Sequence, residues 1–177
     1  MSFSVPEGVE LLLSTPESLR ALTAGVQRPA LRFREDRSAW TIPEVVSHMT
    51  DAEVVDWMPR IEIILSSGDD ADRRFTPFDR TGGFKRYKGW SLSDVLDEFD
   101  RLRRANVEKL LSHRLRPESL ERTGIHPELG TVTLEQLIAC WVTHDCAHLA
   151  QIARILTRYF GAGVGPWKAY FSLLAGR

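Results

Sequence analysis

Apolar residues recur at helical spacing along three long segments of the chain, and each segment follows a residue that can cap a helix. The capping residues are Thr41, Ser91 and Thr133. The residues that stand three positions further on, and that can complete a capping box, are Glu44, Asp94 and Gln136. The pattern predicts helices that begin directly after the caps and end near Gly68, Leu111 and Phe160.

Two prolines interrupt the helical patterns. Pro59 is expected to kink the first of the three helices about two-thirds of the way along. Residues 6–25 form a weaker helical region, in which Thr15 and Pro16 resemble a new N-terminus. No segment shows sustained strand alternation. Four helical elements in one small chain predict an all-α fold, a four-helix bundle.

The segment 67–90, between the second and third bundle helices, is unusually long. Connections in helix bundles typically have about 2–8 residues. A segment of this length can run along a whole helix, so that the two helices it joins could lie parallel, or it can form a lid. Its aromatic and basic side chains would suit a mobile wall over a pocket: Phe75, Phe78, Phe84, Arg86, Tyr87 and Trp90.

Composition narrows the class of protein. A length of 177 residues fits a single domain. The 23 basic and 24 acidic residues nearly cancel, which argues against a protein that binds the phosphate backbone of nucleic acids. The densest basic run, RLRR at 101–104, is expected to be a solvated helix face. No window approaches the run of about 18 apolar residues that a membrane span needs.

The two cysteines, Cys140 and Cys146, lie on one predicted helix. Their spacing separates the Cα atoms by roughly 9 Å, which is too far for an unstrained disulfide. The N-terminal residues also lack the basic start and apolar stretch of a signal peptide. Unbridged thiols without an export signal predict a cytoplasmic location.

Three histidines carry the candidate chemistry. In THDCAHLAQIARIL, His144 and His148 are four residues apart on the apolar face of a predicted helix, so their rings converge. His48, in SHMTDAEVV, also faces the apolar side of its helix. A lone histidine there is usually a core residue, but three buried imidazoles without partners would cost about 1–3 kcal/mol each. We therefore predict a shared divalent metal, zinc, nickel or iron.

Three side chains near the histidines could assist them. Gln151, one turn beyond His148, is the candidate catalytic residue, because it could orient a ligand or a bound water; a polar contact to another helix explains it equally well. Asp51 and Glu44 flank His48 by about one turn and could hold its second ring nitrogen, although exposed carboxylates are the simpler interpretation. Asp145 is expected to point at a neighbouring helix or a partner subunit rather than at the metal.

Two further residues have open roles. Cys140 lies one turn before His144 on the same stripe, and a small core residue is favoured over a fourth metal ligand. His126, in the stretch before the last helix, is expected to be a surface histidine, with lining of the pocket as the alternative.

Three stretches resemble the DinB-like superfamily of small metal-binding bundles: AWTIPEVVSHMTDAE, GWSLSDVLDEF and GTVTLEQLIACWVTHDCAHLAQI. The resemblance runs from about Trp40 to Tyr159. It implies one domain over residues 1–177 and an up-down-down-up bundle with a long crossover between the second and third helices. It also implies a three-histidine metal site at His48, His144 and His148, and often a homodimer. The family includes bacillithiol S-transferases and mycothiol-dependent maleylpyruvate isomerases.

Three neutral imidazoles would leave a divalent cation its full charge and at least one open position. There it could bind a thiol as thiolate or lower the pKa of water towards 7. We expect a metal-dependent thiol S-transferase, or a related enzyme such as a hydrolase, that acts on a small molecule and uses a low-molecular-weight thiol as co-substrate. The alternative is a non-catalytic metal-binding or stress-response bundle in which the metal is structural.

Overall fold

Four long helices pack side by side and shorter elements connect them. The computed structural model describes residues 3–66 and 72–174. In chain order the elements are α1 (Val5–Thr23), α2 (Arg28–Leu31), α3 (Ile42–Val55), α4 (Trp57–Leu65), α5 (Gly82–Arg86), α6 (Leu92–Ser112), α7 (Pro117–Leu120), β1 (Thr123–His126), β2 (Gly130–Thr133), α8 (Leu134–Gly161) and a 3-10 helix (Gly165–Tyr170). The bundle is formed by α1, the consecutive pair α3 and α4, α6 and α8, which confirms the predicted fold class.

The predicted directions of the helices and the long crossover have a different standing. The up-down-down-up order stays a prediction. Residues 67–71 of the crossover, and with them the predicted stop at Gly68, lie outside the described residues. The described remainder of the segment contains α5, which packs against α3.

All three predicted capping boxes are present. At the start of α3 the hydroxyl of Thr41 accepts from the backbone N–H of Glu44, and the Glu44 carboxylate accepts from the backbone N–H of Thr41 at 2.8 Å. Ser91 with Asp94, and Thr133 with Gln136, form the same reciprocal pairs at the starts of α6 and α8. Each box satisfies two backbone groups that a helix end otherwise leaves free.

The predicted new start at Thr15 is wrong, because α1 continues through Pro16. A proline has no N–H, so the carbonyl of Leu12, four residues earlier, loses its helical donor. The guanidinium of Arg103 on α6 donates to that carbonyl instead, at 2.8 Å. The hydroxyl of Thr15 donates to the carbonyl of Leu11. Tertiary contacts thus keep a helix intact where its local sequence favours a break.

Pro59 has the effect that its sequence predicts. The helix is interrupted at Asp56, where the backbone (φ −114°, ψ −72°) deviates from ideal helical values. Pro59 then occupies the third position of α4. Its missing N–H costs nothing there, since the first N–H groups of a helix have no partner within the helix.

A short antiparallel hairpin, β1 and β2, precedes α8, although no strand was predicted. Each strand has only four residues, which is too short for alternation to be distinctive. The hairpin packs closely on the bundle. A Cβ on Gly124 would come within 2.4 Å of the Phe75 ring, so only glycine fits. Gly130 turns the hairpin with a φ of +74°.

One buried cation links the four bundle helices. Arg103 on α6 is 0% exposed, so the expectation of a solvated face for 101–104 is wrong at this position. Its guanidinium donates to both oxygens of Asp145 on α8 (2.5 and 3.0 Å) and to Glu53 on α3 (2.8 Å). Because it also bonds the carbonyl of Leu12, it holds α1, α3, α6 and α8 together. Asp145 thus faces a helix neighbour, as predicted.

Candidate metal centre

Three imidazoles from two helices converge inside the bundle. The Nε2 atom of His144 lies 3.0 Å from that of His48 and 3.1 Å from that of His148. These three residues are the one group of potential ligands, among residues 3–66 and 72–174, whose ligand atoms all lie within 4.8 Å of one another. Because His48 comes from α3 and the other two from successive turns of α8, the cluster depends on the packing of those helices. The structure brings the three predicted ligands together.

Hydrogen bonds at the outer ring nitrogens fix which nitrogen points inward. Nδ1 of His48 lies 3.0 Å from the carbonyl oxygen of Arg80, and Nδ1 of His148 lies 2.7 Å from the amide oxygen of Gln151. Both oxygens are acceptors, so each Nδ1 carries the hydrogen and each Nε2 presents a lone pair. His144 can donate only one Nε2–H between them. A cation at the meeting point would satisfy all three nitrogens, so the donor set fits a divalent metal.

Burial keeps the imidazoles of His48 and His148 neutral. It lowers the pKa of His48 to about 3, with a further contribution from the neighbouring His144 and His148. It lowers the pKa of His148 to about 4, with His144 as the next cause. Burial disfavours the imidazolium form, and a neutral imidazole is the form that ligates a metal. At neutral pH both rings are therefore ready to bind.

Aromatic rings surround the cluster. The ring of Trp40 stacks nearly parallel to that of His148 (centroids 6.3 Å apart, 11° between planes). Trp57 meets His144 edge-on at 5.1 Å, and Phe78 lies 5.4 Å from the ring of His48. These contacts restrict the rotation of the imidazoles and keep water away from part of the cluster.

A cavity of about 440 Å³ opens beside the imidazoles, and all three line it. We call it the aromatic cavity. Its apolar wall consists of Trp57, Phe75, Phe78, Leu129, Val132 and Leu137. Its polar positions are Asp56, Arg60, Arg80, His126, Gln136 and Cys140. A volume of this size accommodates a small organic molecule.

The predicted helpers occupy different places. Gln151 holds the outer nitrogen of His148, so it orients a candidate ligand from outside the cluster. Asp51 pairs with Arg86 at 2.5 Å, and Glu44 caps α3 and pairs with Arg34. Neither carboxylate bonds to His48, so that suggested role is wrong for both. The simpler interpretation, an exposed carboxylate, is also wrong for Asp51, which is 2% exposed.

The backbone carbonyl of Arg80 takes the role suggested for those carboxylates. Sequence reasoning could not find it, because backbone carbonyls are present throughout the chain. Only the folded path of the backbone brings the Arg80 carbonyl to His48. His144 differs from its two neighbours, because its Nδ1 is buried without a hydrogen-bond partner in the described part of the chain. The nearest carboxylate oxygen of Asp145 is 4.0 Å away.

Cys140 and His126 both line the aromatic cavity. The expectation of a core position for Cys140 is wrong, because the residue is exposed on the cavity wall. Burial by surrounding atoms and the nearby Asp56 raise the pKa of its thiol. His126 lies on β1, and its Nδ1 accepts from the backbone N–H groups of Glu128 and Leu129. Its alternative role, as part of the pocket, matches the structure.

Sequence reasoning missed an ion pair in the cavity wall. Asp56 and Arg60 lie 2.6 Å apart, and both are nearly buried. Burial raises the pKa of Asp56, although the charge of Arg60 opposes the change. The i, i+4 spacing of a carboxylate and an arginine was a signal for the pair, but it could not indicate a cavity.

Comparison with known protein families identifies the family of this chain. The model of the DinB superfamily matches residues 11–152, which is most of the chain. The chain belongs to the DinB superfamily. All three clustered histidines fall within the matched region of this DinB protein. Comparison with curated sequences gave no match.

A solved structure supports the same fold for the DinB chain. It is that of YfiT from Bacillus subtilis, described as a probable metal-dependent hydrolase with an unusual four-helix bundle topology. The two share 20% sequence identity, with a TM-score of 0.74 over 90% of this chain and 91% of YfiT. At this identity the similarity shows the fold. In the described residues, no helix is both long and apolar enough to cross a membrane.

Proposed function

We propose that this DinB protein is an enzyme that binds a divalent cation through His48, His144 and His148 and uses it in catalysis. The cation is zinc or nickel, with iron as a third candidate. The observation that carries the proposal is the convergence of three Nε2 atoms, 3.0–3.1 Å from a common member, at the wall of a 440 Å³ cavity. A closed structural site would need a fourth protein ligand. Only three potential ligands meet here among the described residues.

The reaction class that we propose is thiol S-transfer. A divalent cation held at the centre would lower the pKa of a thiol or water and so supply a nucleophile at neutral pH. Arg80 and Gln151 fix the two outer imidazoles, while the aromatic cavity holds the electrophile beside them. In the transfer, a sulfur–carbon bond forms and the bond from that carbon to the leaving group breaks with its electron pair. The thiol proton passes to solvent.

Hydrolysis is the second candidate, and the description of YfiT as a probable metal-dependent hydrolase favours it. The same cavity would hold an ester or amide, and water would replace the thiol as the nucleophile. The two reactions differ in their co-substrate rather than in their protein ligands, so assays distinguish them.

Metal content tests the site. Wild-type protein should bind one equivalent of zinc or nickel, and His144→Ala should lose it, because two imidazoles hold a cation far less well than three. His113→Ala is the matched control. His113 lies at the end of α6, outside the cluster, and its ring pairs with Glu62. Elemental analysis after dialysis measures both. Full metal content in His144→Ala would refute the site.

Turnover tests the reaction. Metal-loaded protein should accelerate the reaction of a small thiol with monochlorobimane relative to metal-free protein, and His144→Ala should not. The same samples are assayed for hydrolysis of p-nitrophenyl acetate. If the metal raises neither rate with any of several thiols, the centre binds metal without turnover, which is the alternative role. The homodimer expected of the family is measured separately by sedimentation.

A further inference from the structure

Two cavities that differ in chemistry meet at His148 of the three-imidazole centre. The aromatic cavity is one. The other, of about 300 Å³, is lined mainly by polar side chains, among them Asp36, Ser38 and Gln151, and we call it the polar cavity. Two residues, His148 and Arg80, line both. A molecule in either cavity can therefore reach the same imidazole.

Arg80 brings a free positive charge to this boundary. Its guanidinium carbon lies 5.7 Å from the ring centroid of Trp40, and the Trp40 ring packs on both His48 and His148. The side chain is exposed, and within residues 3–66 and 72–174 its guanidinium forms neither a hydrogen bond nor an ion pair.

The other charged groups of the two cavities are already engaged. Arg60 pairs with Asp56 in the aromatic cavity. In the polar cavity, Arg154 pairs with Glu35 at 2.9 Å. Asp36 accepts three hydrogen bonds from its own turn, from Ser38 and Ala39. Among the described residues that line the two cavities, Arg80 is thus the cationic side chain that remains available to a ligand.

Arg80 has two functions that can be separated. Its backbone carbonyl holds Nδ1 of His48, whatever its side chain. The guanidinium lies elsewhere, over Trp40. A change of side chain can therefore remove the charge and leave the carbonyl in place, so the metal centre should survive the substitution.

We propose that Arg80 determines specificity for a carboxylate-bearing thiol, which occupies the polar cavity with its sulfur at the centre while the apolar electrophile occupies the aromatic cavity. This inference rests on the proposed function, because it names the class of its co-substrate. Guanidinium binds carboxylate through two parallel hydrogen bonds, and an arginine held against an aromatic ring loses little freedom in doing so. The two-sided arrangement keeps the reactants apart until both contact His148.

Cobalt-loaded protein gives a direct test, since a thiolate that ligates cobalt adds a charge-transfer absorption. Mercaptopropionate and mercaptopropionamide are the probes, because they have the same shape and differ in the charge of the carboxylate. Wild-type protein should bind mercaptopropionate about tenfold more tightly, as expected for a charge-assisted hydrogen bond to a carboxylate. Arg80→Met should lose this preference and keep one equivalent of cobalt.

Arg74→Met is the matched control. Arg74 is an exposed arginine of the same connection, it lies 3.6 Å from the Asp72 carboxylate, and it lines neither cavity, so the tenfold preference should persist. If Arg80→Met fails to hold cobalt, Arg80→Lys is measured instead, and a reduced but positive preference is expected because the charge remains.

Three results would overturn the inference: equal affinities in wild-type protein, an unchanged preference in Arg80→Met or Arg80→Lys, or no spectral change with either thiol. Failure of the proposed function looks different. Binding with the expected preference, but without any bimane product, would leave Arg80 as a specificity residue of a centre that does not catalyse transfer.

Discussion

Replacement of Arg103 by methionine should destabilise the protein strongly, because among the described residues no other arginine or lysine pairs with the two carboxylates that its guanidinium bridges. The change removes four hydrogen bonds, two to Asp145, one to Glu53 and one to the carbonyl of Leu12. The side chains of Asp145 and Glu53 are 3% and 0% exposed, so water cannot replace the lost donor. Although burial alone raises the pKa of Asp145, Arg103 holds it below its ordinary value, and the carboxylate is therefore charged at neutral pH.

Removal of one partner from a buried ion pair typically costs about 3–5 kcal/mol. Domains of this size have a free energy of unfolding of roughly 5–15 kcal/mol, so Arg103→Met should lose a large share of the stability. In urea, with a slope near 2 kcal/mol per M, the unfolding midpoint should fall by about 2 M. Far-UV circular dichroism of the metal-free protein measures it, which separates this effect from metal binding.

Two comparisons make the prediction specific. Arg104→Met removes an exposed ion pair with Asp100 and should cost about 0–1 kcal/mol. In Arg103→Met, addition of Glu53→Gln and Asp145→Asn should recover part of the loss, because the buried charges are then gone. The reasoning would be refuted by a midpoint for Arg103→Met within about 0.5 M of that for Arg104→Met, which at this slope is roughly 1 kcal/mol.

Three further predictions concern the centre and the hairpin. Metal-free protein should lose stability as the pH falls from about 6.5 towards 3, because His48 takes up a proton in the unfolded chain before it does so in the folded chain, where its pKa is about 3. Urea midpoints measured across that range should fall, and a constant midpoint would contradict the burial of His48. Gln151→Leu should weaken zinc binding about 10–100-fold by releasing Nδ1 of His148, as measured by competition with a chromophoric chelator, whereas an unchanged affinity would mean that Gln151 does not position the ring. Gly124→Ala should cost about 1–3 kcal/mol, because its Cβ would lie 2.4 Å from the Phe75 ring. Gly163→Ala is the control, because Gly163 also lacks a positive φ and its Cβ would lie 3.8 Å from the nearest atom; equal losses in thermal unfolding would dismiss the packing argument.

Local signals in the sequence predict much of the fold and the core of the site. The capping boxes at Thr41, Ser91 and Thr133 involve residues three positions apart, so the sequence contains all the information they need. The inward faces of His144 and His148 follow in the same way from helical spacing. These predictions required no knowledge of how the helices pack.

The features that were missed depend on distant contacts. The continuity of α1 through Pro16 depends on Arg103, which lies 91 residues beyond the carbonyl it bonds. The hydrogen-bond partner of His48 Nδ1 is a backbone carbonyl 32 residues away, and no side chain in the sequence marks that position. Cys140 lies at a position of its helix where the spacing predicts a core residue, but in the structure a cavity rather than packed side chains adjoins it.

The guanidinium shared by four helices also constrains how relatives of this protein can diverge. A lineage that loses Arg103 retains two carboxylates in a place that tolerates neither alone, so Glu53 and Asp145 must change at nearly the same time. Intermediates with one or two of the three changes would leave a buried charge without its partner, which typically costs about 3–5 kcal/mol. Because Asp145 directly follows His144, such a concerted exchange also alters the surroundings of a metal ligand. Mutational drift in the bundle interior and adaptation of the metal centre are therefore coupled through one side chain.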